Sequence, residues 1–316
     1  MPSLKDELGK VLIELGKEYG DMVVISGDLG KSTGASAFEV FPERYFNLGI
    51  SEQDMIGTAA GLASAGKIPI VSTYAIFLVG RAWEQIRNSV ARDSLNVKML
   101  ATHGGVSAYA DGGSHQCYED IAIMRCIPGV TVMVPADVSE LRQAARAAVE
   151  ISGPFYIRLP RGEISRIFEE NSEFQVGKAR RISEGEDVGI IVSGFLLPEV
   201  IKAEALLKKE GIRATVLDMH TIKPPDAEAI VDVARQTGAM VTVEDHNIIG
   251  GLGSTVAEVL SSKSPAPVEM IGISDRFGES GELSQLIDLY RLGALDIANA
   301  AKRVIKLKDL RRGMSS

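Results

Sequence analysis

Asn47-Leu48-Gly49-Ile50-Ser51-Glu52-Gln53-Asp54-Met55-Ile56-Gly57-Thr58-Ala59-Ala60-Gly61-Leu62-Ala63 is the stretch on which the reading of the fold turns. A short run ends at a glycine, Ser51 offers an N-cap, and the helix that follows is filled with Gly and Ala, small enough to let another backbone approach closely. The pattern predicts a strand over 45–49, a helix over 52–66 and a strand over 68–74, the unit that joins parallel strands. Working outward, the alternation continues with helix 3–20 and strand 22–27 on one side. On the other come helix 80–93, strand 97–103, helix 117–127, strand 130–135, helix 138–151 and strand 155–159. A polar, aperiodic segment, 162–186, then reads as a linker. A second unit follows, with strands near 187–193, 213–218, 239–244 and 268–273, and helices near 197–210, 226–237, 251–262, 280–291 and 294–306. The expected fold class is α/β: two three-layer α/β domains with mostly parallel sheets, spanning 1–161 and 187–316.

The chain has 316 residues, 34 basic and 42 acidic, for a net charge of −8. Neither sign gathers into a long run, which disfavours nucleic acid or an anionic membrane as partner. Cys117 and Cys126 form no C-x-x-C pair and find no third ligand at a recognisable spacing, so no metal site is expected and both read as reduced thiols. No apolar run approaches the ~20 residues of a membrane span, and the first residues lack a leader pattern. The expected location is cytoplasmic.

Several residues could carry chemistry. Glu52 starts a helix, where spacing alone is explained by the favourable interaction of first-turn acids such as Glu52 and Asp54 with the helix dipole. His103, Asp111 and His115 fall in a glycine-rich loop after a strand, where open α/β sheets bind ligands. They could hydrogen-bond a hydroxylated substrate and move protons near neutral pH, or simply form a polar surface loop. Tyr74 and Phe77, at another strand end, could cover a heterocycle or serve packing. Arg158 and Arg161 could grip a phosphate or make surface ion pairs. Gly30-Lys31-Ser32 invites a P-loop reading, but Ile25 stands where that loop requires glycine. Gly250-Gly251-Leu252-Gly253 reads as a tight strand-to-helix turn.

Gly27-Asp28-Leu29-Gly30, Gly49-Ile-Ser-Glu-Gln-Asp-Met55, Thr102-His-Gly-Gly-Val106, Asp111-Gly-Gly-Ser-His-Gln116, Glu119-Asp-Ile-Ala-Ile-Met-Arg125, Pro128-Gly129 and Val134-Pro-Ala-Asp137 are similar, in order and spacing, to the pyrimidine-binding domain of transketolases. The stretch from Val241 through Glu244-Asp245-His246 to Ser254 resembles the transketolase C-terminal domain, so the resemblance covers nearly the whole chain. It implies transfer of a two-carbon ketol unit from a ketose phosphate to an aldose phosphate, with thiamine diphosphate and Mg²⁺. By resemblance, Glu52 matches the glutamate that hydrogen-bonds N1′ of the aminopyrimidine, Tyr74 and Phe77 match aromatic positions lining that ring, and Asp28 matches an acid near the cofactor. His103 and His115 match the substrate histidines, and Asp111 the aspartate that reads a donor hydroxyl. Ser32 and Arg161 fall at the sugar phosphate, where Lys5 stands for a family arginine.

Two departures stand out. Tyr109-Ala110 precede Asp111-Gly112 where the family usually has Gly-Glu, and the sequence has no Gly-Asp-Gly followed by the downstream Asn that binds Mg²⁺ and diphosphate. The resemblance therefore implies a separately encoded N-terminal, diphosphate-binding subunit, an α₂β₂ assembly, and no activity for this chain alone. Rival resemblances are the β subunit of a 2-oxoacid dehydrogenase E1 component, a fragment of 1-deoxyxylulose-5-phosphate synthase (Arg158-Leu-Pro-Arg-Gly162 and Arg81-Ala-Trp-Glu-Gln85), and a non-catalytic regulatory subunit. Thr102-His-Gly-Gly105 together with Ser114-His-Gln116 favours transketolase.

Overall fold

The computed structural model describes residues 2–170 and 172–313; Asn171, inside the segment read as a linker, and the last three residues of the expected second domain lie outside them. The N-terminal unit contains strands β1 (Met22–Ser26), β2 (Tyr45–Asn47), β3 (Ile68–Tyr74), β4 (Lys98–Thr102), β5 (Thr131–Met133) and β6 (Phe155–Arg158). Its helices are α1 (Leu4–Glu18), the short α2 (Gly30–Thr33), α3 (Glu52–Ser64), α4 (Ala75–Gln85), α5 (Asp120–Arg125) and α6 (Val138–Glu150). β1, β4 and β6 are buried at every position, as a parallel sheet covered on both faces requires. Alternation along β6 shows the two faces: Phe155 and Ile157 join Leu8, Leu12 and Leu141, whereas Tyr156 joins Met55, Ile56 and Met99. In α1, Leu4, Leu8, Val11, Leu12 and Leu15 fall on one buried stripe.

The second unit contains β7 (Arg180–Ser183), β8 (Val188–Val192), β9 (Ala214–Asp218), β10 (Thr221–Lys223), β11 (Met240–Asn247) and β12 (Val268–Ile273). Helices α7 (Leu197–Lys209), α8 (Ala227–Thr237), α9 (Leu252–Lys263), α10 (Leu283–Leu289) and α11 (Ala294–Gly313) complete it. Asp226 caps α8 by accepting from the Ala229 amide at 3.1 Å, and Gly238, at φ 67°, ends it. The five-stranded sheet runs β12-β11-β8-β9-β7 and the seven-stranded sheet β10-β5-β6-β4-β3-β1-β2.

Both sheets have an antiparallel edge that the sequence pattern does not announce. β7 lies within the segment read as a linker and pairs with β9. β10 follows the second unit's β9 yet pairs with β5 of the first sheet. The amide of Val134 donates to the His220 carbonyl at 2.8 Å, and Lys223 Nζ donates to the carbonyls of Arg125, at 2.9 Å, and Ile127. Three-residue strands are too short for periodicity to reveal, and Arg180-Arg181-Ile182-Ser183 has the charged character of an edge. The helix expected over 80–93 starts earlier, at Ala75, loses helical geometry at Ala82 and continues as a wider turn over Ile86–Ala91. The helix expected over 117–127 shortens to α5, and the loop before it coils into a 3₁₀ turn, Gly105–Asp111.

A buried polar cluster joins the units. Arg158 donates from Nε to Asp120 at 2.8 Å and from Nη1 to Asp245 at 2.7 Å, while Tyr156 donates to Asp120 at 2.6 Å. Both readings offered for Arg158 by its sequence context are corrected: it grips neither a phosphate nor a surface acid, because its side chain is 3% exposed and enclosed by two carboxylates. Glu244 accepts from the Leu252 and Gly253 amides at the start of α9, at 2.6 and 2.8 Å. Burial pushes Glu244 up to about 7 and Asp245 up to about 6, the latter against the opposing charge of Arg158.

Candidate active site

The order of strands β6, β4, β3 and β1 brings their C-terminal ends side by side. Arg161 follows β6, His103 follows β4, Tyr74 ends β3 and Asp28 follows β1. Asp28, His103 and Tyr109 hold φ of 63°, 60° and 22°, left-handed conformations that non-glycine residues seldom adopt and that cluster at working sites. Asn47 fixes the ends of β1 and β2 before α3 by accepting from the amides of Asp28 and Gly49, at 2.9 and 3.1 Å.

A continuous stack of flat groups organises the site. Tyr74 lies on His103 with ring centres 3.6 Å apart, and Phe77 lies near-parallel to Tyr74 at 5.6 Å. The Arg81 guanidinium covers Phe77 at 4.3 Å. His115 meets Phe77 and Tyr74 edge-on, at 5.3 and 6.3 Å. At one end of the stack, Glu52 is 3% exposed and both its oxygens accept from Arg81 Nη1, at 3.0 and 3.1 Å. Glu52 and Arg81 line a cavity of about 470 Å³ with Ile50, Ser51, Gln53 and Asp54.

At the other end, the Tyr74 hydroxyl and the Ser32 hydroxyl are 2.6 Å apart. Lys5, Ser32, His103 and Arg161 open on one cavity of about 340 Å³. His103 Nδ1 is engaged by the Thr102 hydroxyl at 2.9 Å, whereas its buried Nε2 has no protein partner. Burial, helped by the charge of Arg161, lowers its pKa to about 3, so the imidazole is neutral at neutral pH. Arg161 pairs with Asp111 at 2.8 Å and lies over the Tyr109 ring at 4.6 Å. His115 Nδ1 is engaged by the Ser114 hydroxyl at 2.9 Å.

Of the residues singled out from the sequence, Glu52, Tyr74, Phe77, His103 and His115 form one connected array, with Ser32 bonded to Tyr74 and Arg161 and Lys5 beside His103. Asp111 belongs to Arg161, and Asp28 is exposed at the end of β1. Tyr74 turns one face to His103 and so groups with the cavity of Lys5 and Ser32. Arg81 and Asn47 are parts of the site that sequence reasoning missed; only the position of Asn47 beside the glycine turn hinted at its part. Among the described residues, no group of three or more His, Cys, Asp or Glu side chains could hold a metal ion, and no helix is long and apolar enough to cross a membrane.

Models of the transketolase pyrimidine-binding domain and the transketolase C-terminal domain match residues 1–166 and 177–297. The chain belongs to the transketolase family. A putative transketolase C-terminal section from Methanocaldococcus jannaschii is 46% identical over 302 residues, covering 94% of each chain. A 6-deoxy-6-sulfo-D-fructose transketolase subunit from Clostridium sp. (strain MSTE9) is 40% identical, covering 98% of this chain and 96% of that one. A solved structure described as a split gene transketolase, inactive beta4 tetramer, superposes with a TM-score of 0.88 at 45% identity, covering 97% of this chain and 99% of that one. Transketolase-family proteins use thiamine diphosphate. The residues present suit its pyrimidine: a buried carboxylate stands beside an aromatic face, and the flat, N–H-bearing guanidinium of Arg81 already uses both.

Proposed function

We propose that this chain is the C-terminal half of a two-chain transketolase, moving a two-carbon ketol unit from a ketose phosphate to an aldose phosphate in the cytoplasm. The observation that carries the reading is the single stack with a carboxylate seat at one end and, at the other, a cavity where Lys5, Ser32, His103 and Arg161 converge. A separately encoded N-terminal subunit would hold the diphosphate and Mg²⁺, in an α₂β₂ assembly. The relatives described as a C-terminal section and as an inactive beta4 tetramer support this division of labour.

Thiamine diphosphate, when bound, supplies the electron sink that lets a carbon–carbon bond beside a carbonyl break and re-form. Glu52 would hold the aminopyrimidine through its carboxylate, and Phe77 would cover the ring, with Tyr74 behind it and Asp28 near the cofactor. The neutral His103 presents an unpartnered, buried Nε2, able to exchange a hydrogen bond or a proton with a substrate hydroxyl. His115 offers a second contact, and Asp111 reads a donor hydroxyl while neutralised by Arg161. Arg161, Lys5 and Ser32 provide two cations and a hydroxyl for the sugar's terminal anion. A relative named for a 6-sulfo sugar favours a site open to sulfonate as well as phosphate.

The test is two-carbon transfer from xylulose 5-phosphate to ribose 5-phosphate with thiamine diphosphate and Mg²⁺, using this chain alone and then mixed with a diphosphate-binding chain. Activity is expected only in the mixture, and Glu52→Ala should abolish it. Activity of this chain alone, or full activity with Glu52→Ala, would overturn the reading.

A further inference from the structure

Glu52, the centre of the proposed pyrimidine seat, has both oxygens engaged by a residue that the two-carbon transfer does not use. Arg81 Nη1 donates to both carboxylate oxygens, at 3.0 and 3.1 Å, and the guanidinium lies over Phe77 at 4.3 Å. A guanidinium is flat, hydrogen-bonds a carboxylate and stacks on aromatic faces, so it occupies the place where Glu52, sharing a proton with N1′, and a phenyl ring would hold an aminopyrimidine. We propose that Arg81 is an internal ligand of this seat, which an incoming aminopyrimidine must displace; the inference rests on reading Glu52 and Phe77 as that seat.

The construction around Arg81 suits exchange. Its side chain is 49% exposed whereas that of Glu52 is 3% exposed, so the arginine can swing into water and the carboxylate cannot. Its backbone is held: the Arg81 carbonyl, just before the helical break at Ala82, accepts from Gln53 Nε2 at 3.0 Å. Departure of the guanidinium alone would leave a buried carboxylate without a partner, which is costly. Only a ligand that gives the Glu52 carboxyl a new hydrogen-bond partner as it stacks on Phe77, such as a ring nitrogen that shares the carboxyl's proton, offsets that cost. Arg81 therefore acts as a filter: a flat ring without a basic nitrogen to share a proton with Glu52 fills the aromatic face but cannot replace the pair.

Thiamine carries the aminopyrimidine without the diphosphate and isolates this seat. Its binding to the full-length chain can be followed by calorimetry and by emission of Trp83, the sole tryptophan, two residues beyond Arg81. Arg81→Met is expected to tighten binding about tenfold, as loss of a half-exposed, charge-assisted competitor implies. Arg81→Gln, which retains an N–H donor for Glu52, should shift binding the same way by less and guards against misfolding of the first variant. Adding Glu52→Gln should erase the gain. Binding that is unchanged or weaker in both Arg81 variants overturns the inference while leaving the seat intact if Glu52→Gln still weakens binding. A gain that survives Glu52→Gln, or no thiamine binding by any variant, overturns the seat and the inference together.

Discussion

Arg158 and Arg161 stand three residues apart at and just past the end of the same strand, and they do opposite things. Arg158, at the end of β6, is sealed between Asp120 and Asp245 and ties the two units together. Arg161, past the proline, is 30% exposed, holds one carboxylate and opens on the cavity with Lys5, Ser32 and His103. One guanidinium has its donors satisfied by protein; the other keeps part of its charge for a ligand. The difference lies in what covers each residue: Arg158, the last residue of β6, lies under α5 and the second unit's β11, whereas Arg161 lies in the loop beyond the strand end, where open sheets bind ligands.

If that contrast holds, removing Arg158 should damage the fold and removing Arg161 should damage binding. Arg158→Met leaves two buried carboxylates uncompensated and is expected to cost about 3–5 kcal/mol in urea unfolding at pH 7. Burial already places Asp245 at about 6 with Arg158 present, and its folded-state value would rise further without it. A raised carboxyl binds its proton in the folded state first, so the deficit relative to wild type should shrink as pH falls toward 6 from above and level off below it, where both proteins protonate Asp245. A constant deficit across that range would show that lost packing dominates.

Arg161→Met should leave unfolding stability within ~1 kcal/mol of wild type. In the reconstituted enzyme it should raise KM for sugar phosphates about tenfold to hundredfold, with kcat affected less. Collapse of stability instead would make Arg161 a second structural arginine and dissolve the contrast.

His103 sharpens the picture with a pH slope. Its folded value near 3 lies below the unfolded 6.5, so the stability it contributes is full above 6.5 and is lost as pH falls toward 3. His103→Asn should flatten the wild-type slope in that window by up to ~1.4 kcal/mol per pH unit. An unchanged slope in acid titrations of unfolding would mean that His103 is hydrated in the native state. The smallest effect belongs to Tyr109→Gly, which removes the ring beneath Arg161 and relaxes a strained backbone. It should raise KM for sugar phosphates by roughly twofold to fivefold, less than Arg161→Met.

Legibility from sequence followed how far each interaction reaches. The fully buried strands β1, β4, β8 and β9 announced themselves as apolar runs, because burial on both faces demands them. Glu52, His103 and His115 were visible by resemblance, and their convergence comes from the order of strands rather than from spacing. The Glu52–Arg81 pair spans 29 residues and joins the first residue of α3 to the body of α4, so no local pattern encodes it. Arg158 could not be told from Arg161, since the acids enclosing it come from α5 and β11. β10 was invisible because its partner, β5, lies in the other unit.

That last strand also decides how the molecule can be divided. A chain truncated after Glu170 would contain all the parallel strands of the first sheet but would bare β5, whose Val132 and Met133 are matched by Lys223 and Thr221. An apolar strand with open amides and carbonyls recruits whatever strand is nearby, so such a fragment should precipitate where the whole chain does not. Exchange of C-terminal halves between relatives is constrained for the same reason: the graft must supply, from residues 219–224, a selvedge cut to fit cloth woven by another part of the gene.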